Sequence, residues 1–241
     1  GLPLLVVVED TALARFRVDV PNNRHAQEIK RSGVMVNWNN KPAQGWVNGD
    51  TEWFYGSVQR NELLERNLEA RPKHDLASVV GAMNAGATQD PRGMDIVPTL
   101  AAVLRGSPAP SARAQAMLEQ LEAWRTAGYN RLDVDLDGKI DHPGAAVLDG
   151  AWDKLADAAM GRVLGPQLEQ LADIEGRFDL PPSGQFGGWQ HYVDKDLRTL
   201  LGQPVQGAYR TRFCGAGDLA ICRADLWAAM EAAGAELAAA Q

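Results

Sequence analysis

Three side-chain amides fall within four positions of Asn37-Trp38-Asn39-Asn40-Lys41-Pro42, directly after the apolar run Val34-Met35-Val36. Asn is a poor strand residue but an oriented hydrogen-bond donor, so a strand that ends this way reads as the edge of a site where an oxygen must be held. A plain turn is the alternative, because Asn side chains also bond their own backbone. A second cluster, Asp133-Val-Asp135-Leu-Asp137-Gly138-Lys139-Ile140-Asp141, suits a hard cation. Carboxylates at alternate positions put three oxygens around one point, Gly138 permits the sharp turn, Lys139 adds its carbonyl, and Asp141 ligates directly or through water. The chemistry expected is calcium binding. The twelfth position is Gly144 rather than the bidentate Glu of an EF-hand, so water or a distant residue would complete the shell. The other reading is an acidic surface turn, although four carboxylates this close repel one another without a cation.

Asp50 follows the amide run in a Gly- and Trp-rich loop, and Arg60 follows Asp50 at the start of a helical pattern. The string NWNNKP, a loop Asp and then this Arg resemble the β-chain of the penicillin acylase family, the N-terminal-nucleophile amidohydrolases. The resemblance is strongest over residues 33–70 and continues through the helical remainder. It implies an α+β fold, part of an αββα sandwich, with a few strands at the N-terminal end. It also implies that Asn39 donates its side-chain amide to the oxyanion of the tetrahedral intermediate, a contribution of ~3 kcal/mol in a preorganised site. Arg60 would sit beside the nucleophile, and Asp50 would be one ligand of a structural calcium whose other ligands come from elsewhere.

That family attacks with the hydroxyl of a Ser whose own α-amino group, freed by autoproteolysis, is the base. This sequence opens Gly1-Leu2-Pro3, and Ser57, Ser107 and Ser183 have neither a free amine nor a Gly-x-Ser-x-Gly context. The resemblance therefore implies that the remaining chain or chains of the same acylase carry the N-terminal Ser. Its substrate would be an amide between an acyl group and an amine, of the penicillin, acyl-homoserine lactone or lipopeptide type. A reading of another class is a secreted, calcium-stabilised binding module that uses the NWNNKP loop as a recognition edge.

The elements that must position these residues divide near residue 60. Residues 3–8 and 15–20 read as strands, the first continuous and the second alternating, and the Val34 run is a third. The period then becomes helical, giving a strand-rich part over 1–60 and a mainly helical part over 61–241 with the calcium loop at 133–141. The apolar stripes are Leu63/Leu64/Leu68, Leu76/Val79/Val80/Met83 ending at Gly86, and Ile96/Val97/Leu100/Leu104 ending at Gly106. Ser111 is an N-cap for Met117/Leu118/Leu121/Trp124, and Val147 to Met160, Leu168 to Ile174, Trp189 to Leu201 and Ala224 to Ala239 continue the pattern. The stripes up to Trp124 are expected to pack as core. The Gly/Pro/aromatic stretch 178–188 is a surface loop, or else lines an acyl pocket. His25, His74 and His191 are expected to be solvated rather than catalytic.

With 45% hydrophobic residues in 241, the chain can bury a substantial core. A net charge of −7, with 24 basic residues interspersed among 31 acidic ones, argues against nucleic acid. No apolar run reaches the ~20 residues of a membrane span. Cys214 and Cys222 are too widely spaced for a C-x-x-C redox pair and have no nearby His to share a metal. A disulfide pinning the last helix is expected, which places the protein in a secreted or periplasmic compartment.

Overall fold

The computed structural model describes residues 4–7, 34–38, 40, 58–174 and 189–239. The chain divides into two compact units, Gly1–Ala87 and Thr88–Gln241. The expected strand at 15–20 and the loop at 178–188 lie outside the described residues.

In the first unit, β1 (Leu4–Val7) pairs antiparallel with β2 (Val34–Asn37), Leu4 opposite Asn37 and Val7 opposite Val34. The continuous and amide-terminated runs thus become partners in a two-stranded ribbon. Among the described residues there is this ribbon and no second stacked sheet. Helix α1 (Val58–Glu69) packs on β2 and buries Leu63, Leu64 and Leu68 completely or nearly so. Helix α2 (Leu76–Thr88) is entered through a reciprocal cap. Asp75 accepts from the Ser78 amide at 2.8 Å while the Ser78 hydroxyl accepts from the Asp75 amide at 2.9 Å, satisfying donors that the first turn leaves open.

Three expectations fail here. The stripe Leu76/Val79/Val80/Met83 is not core, since Leu76 is 81% and Val80 47% exposed. Gly86 does not end the helix either; it lies inside α2, buried, where an added Cβ would stand 2.8 Å from Leu64 Cδ2. The inward face is therefore the small one, Ala82 and Gly86, because only small residues let two helices approach this closely. His74 is half-buried rather than solvated, with Nε2 2.8 Å from the Leu68 carbonyl and Nδ1 3.2 Å from the Ser78 hydroxyl, tying the end of α1 to the start of α2.

The second unit is helical. Asp90 caps α3 (Pro91–Leu104), whose first residue is a proline that has no amide to leave unsatisfied. Ser111 caps α4 (Ala112–Thr126) as expected, its hydroxyl accepting the Ala114 amide at 3.1 Å. There follow α5 (Pro143–Leu164), α6 (Gln167–Ile174), α7 (Gln190–Leu200) and α8 (Leu219–Ala239). The core is the one the stripes foretell: Ile96, Val97, Leu100 and Leu104 meet Leu118, Leu121, Trp124, Leu148, Trp152 and Leu155. Each such side chain contributes about 1.5–3 kcal/mol by leaving water. Alanines along α5 and Ala229, Ala233 and Gly234 on α8 are buried, so these helices pack closely.

Helix α8 begins five residues before the expected Ala224, because Asp218 Oδ1 accepts the Ala220 and Ile221 amides and starts the helix there. Cys222 is consequently in its first turn, bonded to Cys214 as expected, and both sulfurs are fully buried. The buried carboxyl of Asp196, on α7, accepts the amides of Phe213 and Cys214 at 3.0 and 2.8 Å and holds the bridged turn against α7. Burial pushes the pKa of Asp196 up, partly opposed by these two amides.

Candidate functional site

The amide run leaves β2 at an exposed Asn37 and at once turns inward, with Trp38 8% exposed. Two contacts fix Trp38. Its amide donates to Oδ1 of Asn40 at 3.0 Å, and its carbonyl accepts Nε of Arg60 at 3.1 Å. The Arg60 guanidinium also lies over the Trp38 ring, 5.5 Å from its centroid, and Arg60 is 4% exposed. A buried guanidinium must be satisfied, and α1 places it in the first turn, where it reaches back to the strand end. The two ends of the amide–arginine pattern, 22 residues apart, are thereby brought together. Asn39, between Trp38 and Asn40, lies outside the described residues, as does Asp50.

In the second unit, the loop after α4 gathers Asp133, Asp135 and Asp141, each offering one carboxylate oxygen within 4.8 Å of the others. Leu136 takes a left-handed φ of 61° and Gly138 one of 86°, which folds the alternating carboxylates inward and leaves Val134 and Leu136 exposed at 74% and 84%. Asp133 Oδ2 accepts the Gly138 amide at 2.9 Å, and the Asp137 amide reaches Asp133 and Asp135. Asp137 is turned elsewhere, its Oδ1 accepting the Lys139 amide at 2.8 Å and its Oδ2 3.5 Å from Lys139 Nζ. The three gathered groups are hard oxygen donors without a nitrogen or sulfur among them, the kind of set that suits a hard cation such as calcium or magnesium rather than zinc or copper.

Beside this loop runs a buried ionic cluster that the sequence reading missed. Arg92 donates to Asp90 through Nε at 3.1 Å and Nη2 at 2.6 Å, and to Asp149 at 2.8 Å. Arg131 bridges the same two carboxylates from the other side. Asp90 and Arg92 are wholly buried, and Trp152 lies 5.7 Å from the Arg92 guanidinium. Burial alone would raise the Asp149 carboxyl, but Arg131 and Arg92 together outweigh it and hold its pKa below the usual carboxylate range. A depressed folded-state pKa gives stability that is present above the unfolded value near 3.9 and lost as pH falls through the folded one. Asp149→Asn should therefore flatten the acid fall of the melting temperature below about pH 4, measured by circular dichroism from pH 7 to pH 2. An unaltered acid limb would place that proton uptake on other groups.

Residues 6–240 match the family model described as penicillin amidase. Among solved structures, the thermostable penicillin G acylase from Alcaligenes faecalis in orthorhombic form is similar in fold, with a TM-score of 0.61 over 87% of this chain at 21% identity. This chain spans 36% of that one, about a third of its length. Among the described residues no helix is long and apolar enough to cross a membrane.

Proposed function

This chain belongs to the penicillin amidase family, and from that premise we propose that it is part of a secreted or periplasmic acylase that hydrolyses the amide between an acyl group and an amine. Asn39 holds the oxyanion through its side-chain amide, and Arg60 organises the ground beside the attacking group. The nucleophile is the N-terminal Ser of another polypeptide of the same acylase, whose free α-amino group takes the proton. Strands β1 and β2 join the layered αββα sandwich of that assembly, since a ribbon of two short strands is marginal alone. Penicillins, acyl-homoserine lactones and lipopeptides share this chemistry and differ in the acyl pocket.

The observation that carries the reading is the anchoring of Arg60 on the main chain of Trp38, next to the proposed oxyanion donor. The buried disulfide supports an oxidising compartment. The test uses the complete protein: mass spectrometry and N-terminal sequencing of its mature polypeptides, then acyl release from penicillin, acyl-homoserine lactone and lipopeptide substrates. A polypeptide beginning with Ser and release from one class are expected. Absence of hydrolysis from a correctly matured protein would favour the calcium-stabilised binding module instead.

Calcium is a structural ion in this proposal, taken by Asp133, Asp135 and Asp141 with the Lys139 carbonyl, while Asp137 has to leave Lys139 to join them. Asp50 belongs to a separate calcium site of the family type. An ion bound only by the folded state adds about 2.7 kcal/mol at a free concentration a hundredfold above its Kd. Chelation is therefore expected to lower the melting temperature by several degrees, and Asp135→Ala to lower it and to reduce the further fall that chelator causes by this loop's share, leaving that of the Asp50 site. A variant that responds as before would move the ion away from this loop.

A further inference from the structure

We infer that Trp38 and Asn40 are positioning residues, which together with Arg60 fix the peptide that leads into the oxyanion donor; the inference rests on the acylase reading of Asn39. A donor of this kind is effective only when it stands within a few tenths of an ångström of its place before the reaction begins. The Cα of Asn39 is carried by the peptide plane it shares with the Trp38 carbonyl, and that plane is rigid. Whatever orients the carbonyl therefore sets where Asn39 starts.

Both main-chain polar groups of Trp38 are tied. The carbonyl takes a charge-assisted bond from Arg60 Nε at 3.1 Å, and the amide donates to Asn40 Oδ1 at 3.0 Å. The second bond joins the two residues that flank position 39 in the chain. The indole, almost wholly buried, lies against the same guanidinium at 5.5 Å, so the ring holds the cation that holds the carbonyl. Tryptophan offers the aromatic face best suited to a cation. The amides of the run are then not interchangeable: Asn37 ends the strand, Asn39 donates, and Asn40 acts as an acceptor.

The test is a double-mutant cycle in the complete, matured acylase, reading kcat and KM on its own amide substrate for Asn39→Ala, Asn40→Ala and the double variant, with Asn40→Asp alongside. Asn40→Ala is expected to lower kcat about tenfold with KM changed less than about twofold, the pattern of an interaction that matters in the transition state. Asn40→Asp retains an acceptor oxygen and should recover most of the loss. In the Asn39→Ala background, Asn40→Ala should cost less than about twofold, because no donor is left to position. The same tenfold loss in both backgrounds would overturn the proposal while leaving Asn39 in the site. Undiminished turnover of Asn39→Ala alone would remove the acylase role of Asn39 and the positioning role with it. Where Asn40→Ala does not accumulate as folded enzyme, Trp38→Phe takes its place in the cycle. It keeps both main-chain bonds and weakens the stacking, so it should be non-additive with Asn39→Ala; additive losses overturn the proposal there too.

Discussion

Asp90→Ala should destabilise the helical unit by about 3–5 kcal/mol, the cost of breaking a buried ion cluster by removing one partner. Asp90 is fully buried and accepts four donors: the Arg92 amide, Arg92 Nε and Nη2, and Arg131 Nη1. Its loss leaves two largely buried guanidinium groups sharing Asp149, whose side chain is 34% exposed and so the more solvated carboxylate. It also removes the cap of α3, the helix that supplies Ile96, Val97 and Leu100 to the core. Against a total stability of about 5–15 kcal/mol, this is enough to lower the folded population measurably at growth temperature. Asp149→Ala should cost less, because Asp90 continues to face both arginines. The comparison is made by urea unfolding followed at 222 nm. Equal midpoints for Asp90→Ala and wild type would mean that Arg92 and Arg131 are left with no uncompensated buried charge, and so do not depend on Asp90.

What the sequence could disclose follows from how local each feature is. The stripes of α3, α4 and α5 were legible because a helix that buries one face repeats its apolar residues at a fixed period. The same rule misplaced α2, where periodicity marks Leu76 and Val80 but close approach to Leu64 requires the smaller face of Ala82 and Gly86. The cysteine pair was readable because eight residues of separation leave a short loop, which the two sulfurs close. The acidic loop was legible as a convergence of carboxylates but not in its membership, since Lys139 competes for Asp137 and only the folded turn shows it. Asp90 carried a visible signal in the Asp-Pro pair that opens a helix. Its partners did not: Arg92 and Asp149 are 57 residues apart and obey no period. The amide run stands out in the sequence as a string, but the contact between Trp38 and Arg60 shows only where α1 brings Arg60 back to the strand end.

Asn39→Ala in the complete acylase should lower kcat about a hundredfold or more while the fold and KM stay close to wild type, because a single oxyanion donor is worth about 3 kcal/mol in the transition state and little in the ground state. The carbonyl of a bound amide is nearly neutral, whereas attack places a full negative charge on its oxygen. A donor fixed beforehand meets that charge without the reorganisation that water would need. The anchoring of Trp38 by Arg60 and Asn40 gives this chain the means to fix such a donor at the end of β2. Loss of the side chain at position 39 should therefore leave Trp38 in place, so that tryptophan fluorescence and the melting temperature change little while turnover collapses. Asn39→Asp should be at least as damaging, since a carboxylate would face the developing oxyanion with like charge. Turnover within about twofold of wild type for Asn39→Ala, too small a change for the loss of an oxyanion donor, would show that the oxyanion is held elsewhere.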